Sequence, residues 1–442
     1  MTRARYLAPL MALGLVLAAC TSASPSASPG TSSGPSASAG PSTGEDDLTG
    51  QSVTVIGTWG DAEEEAFKAM VKPWEDATGA TVKYTGTRDI NTILTTGVAS
   101  GVLPDLAGLP GPGQMAEYAA AGALKSLDDV LDIATYESET ASGLVSLGQA
   151  DGSTFGVFIK ASVKGLIWFN PGLYDYTDNA PATWDDLLTQ GAANQGSAQA
   201  LWCLGIESGA ASGWPATDWI EQIVLHQAGP DVYNQWWAGD LAWDSPEIRG
   251  AFEVYMNDVV GKSFGGGTNA VATSFLTAGD PLFTSPQGCE FFHQASFITG
   301  LGDFPNRTAG TDYNAFPFPS INDAYANAVE GAGDLFGMFH DTPAAKSLMR
   351  YLVTADAQNI WVRIGGALSA NKNASDYPDD ISSTMGSMVA NAEILVFDAS
   401  DQMPAAMNEA FWSTMVSLTN GSITIDKALS DLDAVAADAY GS

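Results

Sequence analysis

Residues 52–85 run strand, helix, strand, and that order confines the chain to an α/β architecture with parallel strands. Ser52-Val53-Thr54-Val55-Ile56-Gly57 is short and β-branched, which suits a pleated strand. Between residues 62 and 76, Phe67, Met70, Val71 and Trp74 fall at i, i+3, i+4 and i+7, the spacing of one helix face. Gly79 follows, a residue type that ends helices, and residues 81–85 supply the second strand. The pattern repeats: 90–99 reads as helix, 104–107 as a short buried strand, and 113–121 as a helix stopped by Gly122.

One α/β lobe on this reading runs to about residue 162. Residues 163–170 form a strand ending at Pro171-Gly172 that marks the crossing into a second lobe, and Thr183 before Trp184 is an N-cap candidate. The apolar segments 315–319 and 328–339 are candidates for returning the chain to the first lobe. The expected division is 51–162 plus about 325–365 for the first lobe, and 163–324 plus about 366–442 for the second.

The amino terminus is of another kind. Arg3 and Arg5 precede an apolar run from Leu7 to Leu17 and a small-residue segment ending at Cys20, the layout of a secretory signal over 1–19 and too short for a mature membrane span. Leu17-Ala18-Ala19-Cys20 matches a bacterial lipobox, so Cys20 is the expected lipidation site, and two acyl chains anchor a protein stably. Residues 20–50 are Ser, Pro, Gly, Ala and Thr with hardly a large apolar residue, the composition of a disordered leash. The expected location is the outer face of the cell membrane, with the lipid as the sole membrane contact.

Charge narrows the partners. With 51 acidic against 17 basic residues the net charge is −34, and such a surface repels nucleic acid. After Cys20 only Cys203 and Cys289 remain, and an even pair in an exported chain reads as one disulfide. His226, His293 and His340 are widely spaced, with no second histidine at i+4, so neither zinc nor a serine-type triad is expected. In Gly205-Ile206-Glu207-Ser208-Gly209 the serine sits one place beyond a nucleophile elbow. Gly331, Gly333 and Gly337 are spaced one residue too widely for a dinucleotide fingerprint. No cofactor, metal or catalytic residue is expected, and a secreted glycoside hydrolase is the main rival reading.

Four segments together resemble the extracellular solute-binding proteins of ABC-type sugar importers, the family of maltose-binding protein, and most closely its α-glucoside-binding branch. They are Trp202 to Gly209, Gly213 to Trp219, Gly365 to Asn373 and Phe397 to Asp401. The crossover strand Ile167-Trp168-Phe169-Asn170 departs from the family's aliphatic pair followed by Tyr-Asn. The resemblance covers nearly all of the chain from residue 52. It implies a two-lobed periplasmic-binding-protein fold with a hinge, an interlobe cleft for an α-glucoside or other small sugar or solute, delivery to importer permease subunits, and a monomer.

A pyranose presents apolar C–H faces and a rim of hydroxyls, so its site needs aromatic platforms and hydrogen-bonding side chains. Trp59 and Asp61 follow the first strand, at the end where open α/β sheets present ligands. The same argument nominates Asp105, and Arg88 with Asp89 after the second strand. Trp214 is the stacking candidate, with Asp218 on the following helix and Trp219 assigned to the core. At most one of Trp236, Trp237 and Trp243 is expected at the ligand. Gly333 and Asp334 are placed at the lobe interface, and Gly365 either approaches the ligand or ends a helix.

Overall fold

The computed structural model describes residues 47–441 apart from 110, 195, 197 and 393, with the backbone alone at 390 and 391. The predicted signal, Cys20 and the leash up to residue 46 lie outside the described residues. In chain order the principal strands are β1 (Ser52–Gly57), β2 (Thr81–Gly86), β3 (Leu106–Leu109), β4 (Gly156–Val163), β5 (Leu166–Phe169), β6 (Ala200–Cys203), β7 (Cys289–Gln294), β8 (Asn314–Pro317), β9 (Ala328–Met338) and β10 (Ile394–Phe397). They form two sheets. The first has order β10-β9-β3-β1-β2, with β4 also paired to β9. The second has order β8-β5-β7-β6.

The opening unit folds as its periodicity dictates. The helix Asp61–Thr78 buries Phe67, Met70, Val71 and Trp74, and Gly79 closes it in the left-handed region at φ 74°. β1 then lies parallel to both β2 and β3. β3 starts two residues later than the sequence suggests, because Asp105 is held outside it: its Oδ2 accepts from the Thr54 amide at 2.8 Å and the Thr54 hydroxyl at 2.7 Å.

The expected crossing strand at 163–170 is two strands. β4 ends at Val163 in the first sheet and β5 begins at Leu166 in the second, so the chain passes between sheets through Lys164 and Gly165. Gly165 has φ +70°, and a Cβ there would lie 2.2 Å from Gln222 Cδ. Only glycine meets both constraints.

The chain crosses back from β8 to β9, whose eleven residues pair with β3, β4 and β10. Within 366–442, β10 joins the first sheet through four residue pairs. The helices Ala405–Thr419 and Ile425–Ala439 instead bury Phe411, Met415 and Leu432 in the cluster that holds Trp202, Trp219 and Trp236. Cys203 and Cys289 are joined as a disulfide between β6 and β7, with Cα atoms 5.3 Å apart, inside the usual span. Among the described residues no helix is long and apolar enough to cross a membrane.

Candidate functional site

A cavity of about 160 Å³ opens where four segments meet: the loop after β1, the middle of β9, the Lys164 crossing and the start of the helix Trp214–Ala228. A wider recess of about 650 Å³ shares Thr58, Glu63, Arg88 and Phe275 with it and adds Asp61, Glu207 and Ser208. Together they make one cleft between elements of the two sheets.

Two buried lysines organise its floor. Lys160 on β4 donates to Glu63 Oε1 at 2.5 Å and lies 3.6 Å from Asp334 Oδ2. Its ammonium also sits 4.9 Å from the Trp361 ring centroid, a cation–π distance. Burial disfavours the Lys160 charge, but Glu63 and Asp334 outweigh it and hold the pKa above the usual lysine value. Lys164 lies 2.8 Å from both Asp218 oxygens and 2.8 Å from Asp398 Oδ2. Burial pushes Asp218 up to about 7 despite Lys164, with Asp398 adding to the rise. Asp398 goes the other way: burial is outweighed by Lys164 and by further donors, including the Asp401 amide.

The walls are aromatic. Trp214 meets Phe275 edge-on at 5.0 Å and Phe297 at 5.9 Å, and the Lys164 ammonium lies 5.0 Å from its ring centroid. Trp412 closes the cavity near Trp214 and Asp398. Its indole N–H is buried with no hydrogen-bond partner, a donor that a ligand hydroxyl would satisfy. Arg88 packs its guanidinium 5.1 Å from the Phe275 ring centroid.

Of the predicted residues, the structure brings Trp59, Arg88, Trp214, Asp218, Gly333 and Asp334 together around the first cavity, and Asp61 into the adjoining recess. Trp59 is 2% exposed, with its ring stacked on Phe336 and edge-on to Trp361. It forms wall, and its Nε1 donates to Asp334 Oδ1 at 3.0 Å. Trp214 is the first residue of its helix rather than part of the preceding loop. A side chain at Gly333 would place its Cβ 2.7 Å from the Lys160 carbonyl, so this glycine allows β9 to lie close against β4.

Three predicted residues lie elsewhere. Asp105 is at the amino end of β3, tied to Thr54 and 3.5 Å from His340 Nδ1. Its strand presents the opposite end to the cleft. Asp89 is exposed ahead of the helix Ile90–Ser100. Gly365 ends the helix Ala355–Ile364, its N–H donating to the Trp361 and Val362 carbonyls. Trp219, Trp236 and Trp243 are core residues.

Sequence reasoning passed over Lys160, Lys164, Glu63, Asp398, Phe275, Phe297 and Trp412. The lysines carried a signal: both sit inside the apolar run 155–169, where an unpaired ammonium is costly. Asp398 falls in the segment Phe397 to Asp401 that carries the resemblance; the other four have no such signal, because their neighbours come from distant segments.

A two-sheet α/β body with a polar, aromatic-walled cleft between its sheets is a ligand-capturing architecture, and comparison with known proteins gives the family. Residues 60–359 match the model of the bacterial extracellular solute-binding proteins. The osmoprotective compounds-binding protein GgtB of Synechocystis sp. is 34% identical over 379 residues, covering 84% of this chain and 89% of its own. The alpha-glucosides-binding periplasmic protein AglE of Rhizobium meliloti is 32% identical, covering 86% of each chain. Among solved structures, a chitin oligosaccharide binding protein superposes with a TM-score of 0.74 at 20% identity, over 88% of this chain and 99% of its own. The chain belongs to the bacterial extracellular solute-binding protein family. Its fold is the two-domain one of that family, as the resemblance implied, and family and relatives are solute-binding proteins rather than enzymes.

Proposed function

We propose that the cleft captures a neutral, hydroxyl-rich solute, an α-glucoside or closely related small sugar, and that the loaded protein delivers it to the permease of an ABC importer. One observation carries this reading: Lys160 and Lys164 in the cleft are already paired with carboxylates. A bound ion would have to compete with those partners. A neutral hydroxyl can donate to a carboxylate lone pair that the ammonium leaves free, without displacing the ion pair. Phe275, Phe297 and Trp412 supply apolar surface for the C–H faces of a sugar ring. The relative AglE is named for binding alpha-glucosides, and GgtB for binding osmoprotective compounds.

On this reading the bodies built on the two sheets are lobes that close over ligand about the crossings near Lys164, β9 and β10. Ligand favours the closed form only by its differential affinity for it. The protein acts as a monomer, exported by the segment 1–19 and held at the outer membrane face through lipid on Cys20. The test is a thermal-shift panel on residues 47–442 with trehalose, maltose, sucrose, glucose and non-sugar solutes. A ligand at 100 times its Kd stabilises by about 2.7 kcal/mol, so one responding α-glucoside supports the reading. Silence with every sugar and a response to an ionic solute would overturn it. For the anchor, labelled palmitate should enter the wild-type protein and not Cys20→Ser.

A further inference from the structure

Behind the floor of the cleft lies a group of buried carboxyls far in excess of its one cation. Asp218 and Glu221 come from the helix Trp214–Ala228, Glu330 from β9, and Asp398 and the half-buried Asp401 from the segment after β10. Lys164 is the one ammonium among them. One oxygen each of Asp218, Glu221 and Asp398 lie within 4.8 Å of one another. Glu330 is tied to the same helix through Gln222, the residue after Glu221. Like charges packed this closely disfavour full ionisation, and one ammonium cannot neutralise them all.

The outer contacts are spoken for. Glu221 Oε2 accepts from the Ala399 amide at 2.8 Å, and Glu330 Oε2 accepts from Gln222 Nε2 at 2.8 Å. The second oxygens, Glu221 Oε1 and Glu330 Oε1, have no donor, although these residues are 0% and 1% exposed. An acceptor left without a donor at such depth is costly, whereas a protonated oxygen becomes the donor that its neighbour lacks.

We propose that Glu221 and Glu330 retain protons at neutral pH, so that the Trp214–Ala228 helix and β9 pack with these carboxyls neutral, and that stability falls as pH rises because unfolding releases the protons. Tyr233 donates to the Phe397 carbonyl at 3.0 Å, and its hydroxyl is 3.5 Å from Glu221 Oε2. His293, across Lys164 on β7, is lowered to about 3 by burial and then by the Lys164 charge, so it supplies no proton. Asp334 and Asp401 line the same cavity, and burial is the largest cause that raises each. Burial first, then Asp398, raises both Glu221 and Glu330 well above the glutamate value; Asp218 adds to the rise and Lys164 opposes it.

The direction in pH follows. An acid whose folded pKa is raised binds more protons folded than unfolded, so its stabilisation is full below the unfolded value and is lost as pH rises toward the folded one. His226 and His293 are lowered by burial, and Lys160, Lys164 and Tyr233 are raised, so none of these buried groups changes charge in the folded state between pH 7 and 9. The window is therefore set by the buried carboxyls.

The experiment is chemical denaturation of the unliganded protein from pH 7 to 9, for wild type, Glu330→Gln and Glu221→Gln, with infrared spectra at pH 7. Glutamine copies the protonated glutamate in shape. The expected result is an unfolding constant that rises up to about tenfold per pH unit for each proton released, a shallower rise in each variant, and a protonated-carboxyl C=O band at pH 7 that weakens in both. Parallel wild-type and variant profiles, or no such band, would overturn the proposal. So would a midpoint raised by calcium and reset by a chelator, since a cation would then hold the charge. If one variant fails to fold, the other and the wild-type band decide the matter. The test needs no sugar, so it stands apart from the assignment of the ligand.

Discussion

Trp214 and Trp219, five residues apart on one helix, have different fates. Trp219 is 1% exposed and stacks on His293 at 4.0 Å, so Trp219→Ala should cost about 3 to 5 kcal/mol in a denaturation midpoint. Trp214 borders the cavity, so Trp214→Ala should weaken ligand binding at least tenfold in calorimetry with a much smaller loss of stability. The reverse pattern would move the site. Lys164→Met keeps the volume but leaves Asp218 and Asp398 facing each other without a cation. Breaking a buried pair in this way costs about 3 to 5 kcal/mol, whereas Lys68→Met, on the exposed face beside Glu64 and Glu65, should leave the midpoint unchanged. These contrasts explain why the site was only half legible. Trp214, Asp218 and Asp334 stand in segments with local pattern, whereas Lys164 acquires its role from Asp398, 234 positions away in the chain.

At the scale of elements, the periodicity of 52–85 predicted the parallel unit because each contact in it is short-range. The break of 163–170 into β4 and β5 was not visible, since it depends on Gln222 crowding Gly165. Asp105 misled for a related reason. The strand-end argument is sound, but Asp105 precedes its strand and binds Thr54. The β6–β7 pairing is held covalently as well as by hydrogen bonds. The Cys203–Cys289 bridge closes a separation of 86 residues, and in the chain-entropy model a loop of this size restrains the unfolded state by about 4 to 5 kcal/mol. Cys203→Ala with Cys289→Ala should therefore lower the midpoint substantially, and a reducing agent should shift wild type toward the double variant while leaving the variant unmoved.

Over the whole molecule the dominant quantity is the net charge of −34. Like charges on a compact body repel, and screening shortens their reach from about 30 Å at 0.01 M to about 8 Å at 0.15 M salt. Melting temperature should rise over that range with an inert salt, measured without ligand; a fall would mean that attractive surface pairs such as Lys427–Asp431 outweigh the repulsion. The passage between sheets at Lys164 and Gly165 sets a different bound. Two residues reach at most about 7 Å, so β4 and β5 cannot separate, and the chain returns through β9 and leaves again after β10. The first and last of these links are short, and short links leave the bodies they join little freedom beyond rotation. The Lys164 ammonium in the first link holds the carboxylates of Asp218 and Asp398, so a change of angle there is at the same time a change of electrostatic energy.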